Sequence, residues 1–123
     1  MRYLTDRKRA MGKGSTGRGT GDHWFMTVSA VALAFMVPTW LYIFGSALGG
    51  TQEEVVATFA RPFPAILTGL VLFIGMRHFA KGAIMMIEDY VHSSARKGLV
   101  ILAISLSYAI TATGLFALVR IAL

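Results

Sequence analysis

Cysteine is absent from the chain. That excludes disulfides, zinc–thiolate centres and thiolate-held iron–sulfur clusters, so any metal must be held by histidine or carboxylate. Acidic residues are also scarce, six Asp and Glu against twelve Lys and Arg, and charged residues make up only 15% of the 123 positions. With 55% hydrophobic residues and a mean hydropathy of +0.63, the chain is too apolar for a soluble domain of this size and reads as a membrane protein. The P-loop pattern G-x-x-x-x-G-K-[ST] is missing. Gly12-Lys13-Gly14-Ser15-Thr16-Gly17 is formally G-x-G-x-x-G, but no strand precedes it and an apolar span follows, which removes the phosphate-loop context. A cleaved signal peptide does not fit either, because the polar tail is long and the apolar run after it is span-length.

What is present is basic residues at one end and long apolar runs after them. Six of the twelve Lys and Arg residues (Arg2, Arg7, Lys8, Arg9, Lys13 and Arg18) precede every hydrophobic segment. The net charge of +6 therefore points to membrane topology rather than to nucleic acid. Residues 1–22 read as a glycine-rich tail that cannot bury a core and is ordered only by a partner. Residues 23–123 read as an all-α membrane domain of three spans, at about 24–48, 63–91 and 98–118, each long enough for a hydrocarbon core of about 30 Å. His23, Trp24, Trp40 and Tyr42 flank the first span at interfacial positions, and Pro38 lies inside it. In the first loop, Val55, Val56 and Phe59 predict a short surface helix. Pro62 and Pro64 suit the first turn of the second span. In the third span, Ala109, Thr113 and Ala117 form a small-residue ridge that serves either close helix approach or lipid contact. The basic tail and the Arg96-Lys97 loop place the amino terminus in the cytoplasm by the positive-inside rule, and three spans put the carboxyl terminus outside. The short tail favours a bacterial inner membrane.

The second span is organised around Arg77-His78-Phe79-Ala80-Lys81-Gly82-Ala83-Ile84-Met85-Met86-Ile87-Glu88-Asp89-Tyr90. A charged side chain at membrane depth is unfavourable by about 2.5–3.5 kcal/mol, so ionisable groups here face protein or mark a functional site. At 100° per residue Gly75, His78, Gly82, Met85 and Asp89 share one face. His78 is either a core histidine bonded to a neighbouring helix or an axial ligand to haem iron. For the second role, Gly75 and Gly82 leave room for a flat macrocycle. Arg77 and Lys81 either pair with haem propionates or snorkel to the interface. His92 lies about 21 Å along the axis from His78, and His23 is also interfacial, so a second ligand must come from another chain. Asp89 and Tyr90 lie about 16 Å or more from His78 along the axis. They are either solvated helix-end residues or a carboxylate and phenol suited to binding and protonating a quinone.

His78 followed eleven residues later by Asp89-Tyr90, with Gly82 between them on the second of three spans, resembles the small hydrophobic membrane anchor of succinate dehydrogenase. The resemblance covers about residues 20–120. It implies that His78 ligates a b-type haem shared with a second anchor subunit, that Tyr90 contacts ubiquinone and that Asp89 lies nearby. It further implies an iron–sulfur subunit and a flavoprotein as partners, with the basic tail docked on them. The chain itself would be a non-catalytic anchor. His23-Trp24 matches an aromatic segment of that family, but Phe25-Met26-Thr27 brings no arginine where many members have one. Two alternatives stand beside this reading. One is a fumarate reductase anchor; the other is a non-redox membrane helper or transport subunit in which His78, Lys81 and Asp89 relay protons or hold helices together.

Overall fold

The computed structural model describes residues 5–11 and 19–123; residues 1–4, the Gly12–Gly17 segment and Arg18 lie outside the described residues, while the remainder of the stretch read as tail falls in α1 and the start of α2. Every described element is helical: α1 (Asp6–Met11), α2 (Gly19–Ala47), α3 (Gln52–Ala60), α4 (Pro62–Tyr90) and α5 (Ala95–Ala122). Three of these, α2, α4 and α5, are long and apolar enough to cross a membrane. Helices are the expected solution there, because each satisfies its own backbone groups where water is absent.

Local chemistry sets the ends. Helix α2 turns off through Gly49, whose φ of 86° lies in the left-handed region that only glycine enters freely. Thr51 then caps α3 with a full capping box: its hydroxyl accepts from the Glu54 amide, and the Glu54 carboxylate accepts from the Thr51 amide. The helix foreseen from Val55, Val56 and Phe59 is thus α3. Arg61, in an extended conformation, ends α3 and opens α4, and Pro62 follows at the first helical position, where its missing N–H costs nothing. Inside α2, Pro38 removes one backbone donor, and next to the break the Thr39 hydroxyl donates to the Phe35 carbonyl at 2.8 Å.

Helix α4 is the middle of a row. Helix α2 packs antiparallel on one side of it and α5 antiparallel on the other, while α2 and α5 do not pack on each other. Each contact is stitched by small or hydroxyl residues. On the α2 side, Trp40 Nε1 donates to Thr68 Oγ1 at 3.0 Å. On the α5 side, Ser107 Oγ donates to the Met76 carbonyl at 2.7 Å, and Gly114 lets Leu72 lie directly against the α5 backbone. Small side chains of this kind let membrane helices come close and make interhelical hydrogen bonds. The ridge of Ala109, Thr113 and Ala117 is exposed; α5 meets α4 through Ser107, Gly114 and Leu118 instead. Helix α3 closes one end of the row, its buried Phe59 tilted against Phe44, which stacks on Trp40.

Only Ser29, Phe59, Pro64, Leu67 and Ser107 are buried among the described residues. A row of three helices has two open faces and almost no interior. Its apolar side chains, among them Phe35, Phe73, Met85 and Phe116, point outward to whatever surrounds the chain.

Candidate functional site

The antiparallel register of α2 and α4 decides what surrounds His78. Ser29 of α2 comes level with it, and the serine Oγ lies 2.7 Å from His78 Nδ1. The same Oγ lies 2.6 Å from the Phe25 carbonyl and 3.2 Å from that of Met26. Ser29 is 4% exposed and His78 is half-buried. The other ring nitrogen, Nε2, has no hydrogen-bond partner among the described residues. No fully buried side-chain nitrogen or oxygen among them lacks a partner, so Nε2 is not sealed inside the chain and stays accessible. An imidazole held through one nitrogen, with the other free, is the arrangement a metal ligand needs.

Gly75 and Gly82 flank that ring along α4. Leu33 and Met26 of α2 fill the space beside them: a Cβ at Gly75 would lie 3.8 Å from Leu33 Cδ2, and one at Gly82 would lie 3.9 Å from Met26 Cε. Within this chain these glycines therefore face a helix rather than open space. Room beside His78 lies away from α2.

Arg77 and Lys81 differ in their partners. Lys81 Nζ is 2.8 Å from Asp22 Oδ1, an ion pair that fastens the start of α2 to α4. Arg77 has no carboxylate beside it. Its Nη1 donates to Tyr108 Oη of α5 at 3.2 Å, and its guanidinium carbon lies 5.7 Å from the centroid of the Phe25 ring of α2, within cation–π range. The guanidinium thus bridges α2 and α5 across one open face of α4. Beside it Arg77, Lys81 and Tyr108 help to line a recess of about 200 Å³. Most of the five guanidinium donors remain free for an anion.

Asp89 and Tyr90 end α4. Both are exposed, Tyr90 to 82%, and neither has a partner among the described residues. At 1.5 Å per residue Tyr90 is about 18 Å from His78 along the axis, so the two do not meet. His23 and His92 are likewise exposed, and neither hydrogen-bonds to the His78 ring. Among the described residues no three histidine or carboxylate side chains group as a metal site.

Two contributors do not stand out in the sequence. Ser29 is one more hydroxyl in an apolar run, and only the helix register brings it level with His78. Asp22 falls in the stretch that reads as tail, although a lone carboxylate one turn before a span, with Lys81 inside another, was a usable signal.

No solved structure matches the chain. A protein of Paracoccus denitrificans named succinate dehydrogenase hydrophobic membrane anchor subunit is 45% identical over 123 residues, covering 100% of this chain and 95% of the relative. Residues 1–115 match the family described as succinate dehydrogenase/fumarate reductase transmembrane subunit. With its three apolar helices, this makes the chain a multi-pass protein of the bacterial inner membrane. It belongs to the family of succinate dehydrogenase/fumarate reductase transmembrane subunits.

Proposed function

We propose that the chain is the anchor subunit of a succinate:quinone oxidoreductase, supplying His78 as one axial ligand of a b-type haem and Tyr90 as part of the quinone-reduction site. The observation that carries the haem half is the His78 ring itself, tied to Ser29 through Nδ1 and open at Nε2. A haem bound there supplies a one-electron carrier within the membrane. His78 would hold the iron from this chain, and a second anchor subunit would supply the other ligand. Arg77 is the better candidate for a propionate, because Lys81 already has Asp22.

At the end of α4, the Tyr90 phenol is free to donate a hydrogen bond to a quinone carbonyl, and the Asp89 carboxylate can hold a proton beside it. Reduction of a quinone to a quinol takes two electrons and two protons. The electrons must come from partners, since a chain without cysteine holds no thiolate-ligated cluster. An iron–sulfur subunit and a flavoprotein that oxidises succinate fit that need, with the basic tail and the Arg96-Lys97 loop facing them from the cytoplasm. This chain would then do no bond-making of its own. Family membership speaks against the non-redox helper, and because the family spans both enzymes, a fumarate reductase anchor is the second reading.

The test is a reduced-minus-oxidised spectrum of the purified complex. His78→Ala should abolish or alter the b-type bands in a complex that still contains this subunit; an unchanged spectrum would exclude ligation by His78.

A further inference from the structure

We infer that Ser29 is a positioning residue for His78, fixing the imidazole in the tautomer that carries its proton on Nδ1 and leaves the Nε2 lone pair free for iron. The inference rests on the haem-ligand reading and deepens it.

A serine hydroxyl has one proton and two lone pairs. Ser29 Oγ is 2.6 Å from the Phe25 carbonyl oxygen, well within the range of an O–H···O hydrogen bond. Two oxygens attract at that distance only with a proton between them, and a carbonyl has none to give. The serine proton therefore points at Phe25, with the Met26 carbonyl as a weaker second acceptor at 3.2 Å. Only lone pairs are then left facing His78 Nδ1, 2.7 Å away, so the ring donates and the serine accepts. A neutral imidazole has a single N–H. With that proton on Nδ1, Nε2 carries the lone pair, and Nε2 is the nitrogen left accessible and without a partner among the described residues.

The serine cannot easily turn to the opposite role. It is 4% exposed, and its height against the ring is set by the α2–α4 register, pinned by Asp22–Lys81 on one side and Trp40–Thr68 on the other. An acceptor on the far nitrogen of a ligating histidine raises the basicity of the ring and holds its orientation. Ser29 would thus strengthen His78 as a donor and favour the oxidised iron.

The experiment is a redox titration of the haem in the complete complex purified from membranes carrying Ser29→Ala, Ser29→Thr or Ser29→Cys. Ser29→Ala should shift the midpoint potential upward, because Nδ1–H loses its acceptor, and should loosen haem retention by about 10-fold. Ser29→Thr, which keeps the hydroxyl, should return the potential towards wild type. If the alanine variant does not assemble, Ser29→Cys, a weaker acceptor of similar size, should show a shift of the same sign. An assembled complex with lower yield but wild-type potential would mean that Ser29 only packs helices, and would overturn the inference. An unchanged potential in Ser29→Cys would do the same. A wild-type complex without b-type haem would defeat the ligand reading itself, whereas a His78-dependent haem indifferent to Ser29 would defeat this inference alone.

Discussion

At the scale of single residues, partners matter more than residue types. Arg77 and Lys81 are both cations one turn apart on α4, yet Lys81 is paired with Asp22 whereas Arg77, among the described residues, has only a phenol and a ring face. Arg77→Met should therefore reduce haem content in the assembled complex more than Lys81→Met; equal effects, measured as haem per complex, would remove the propionate role of Arg77. Tyr90 is 82% exposed and has no partner among the described residues. Tyr90→Phe should consequently lower quinone reduction by about 10-fold or more, as expected for a lost acid–base or orienting group, while succinate oxidation with an artificial dye is spared. Equal loss of both activities would indicate failed assembly instead.

At the scale of elements, α4 depends on its two neighbours through unlike contacts. Against α2 it uses hydrogen bonds and an ion pair; against α5 it uses the hydrogen bonds of Ser107 and Tyr108 and the notch at Gly114. A Cβ at Gly114 would run into the end of the Leu72 side chain. Gly114→Ala should be tolerated after Leu72 changes rotamer, whereas Gly114→Leu should force α4 and α5 apart, at a cost of about 1–3 kcal/mol or more. Thermal denaturation of the detergent-solubilised complex separates the two. Helix α3 rests on its cap: Thr51→Ala removes the hydroxyl acceptor and should destabilise α3 by about 1 kcal/mol, seen as faster hydrogen exchange at residues 53–55.

At the scale of the whole molecule, the row of three helices encloses almost nothing of its own. Five buried residues among those described do not make a core, and large apolar side chains cover both open faces. Lipid can cover some of that surface. The unpartnered Nε2 of His78 and the uncommitted donors of Arg77 suit protein or cofactor better than lipid tails, since polar groups at membrane depth are costly when left alone. On the reading proposed above, the chain produced without a second anchor subunit should therefore fail to form a six-coordinate b-type haem, and should be more readily proteolysed in membranes than when both anchors are made. A normal b-type spectrum from the chain alone would contradict the shared site.

Composition and periodicity by themselves determined the all-helical class, the three spans in order, the surface helix over Val55–Phe59 and the face of α4 that carries His78. These are local consequences of apolar runs and helical spacing, which every stretch of chain obeys irrespective of its neighbours. The spacing from His78 to Asp89-Tyr90 also made the family legible. Tertiary structure alone decided that α4 lies between α2 and α5, that α2 rather than open space adjoins Gly75 and Gly82, that Lys81 belongs to Asp22, and that Ser29 meets His78. Those are matters of register between helices, and register depends on how two surfaces interlock. No period within one helix records the height at which another will dock.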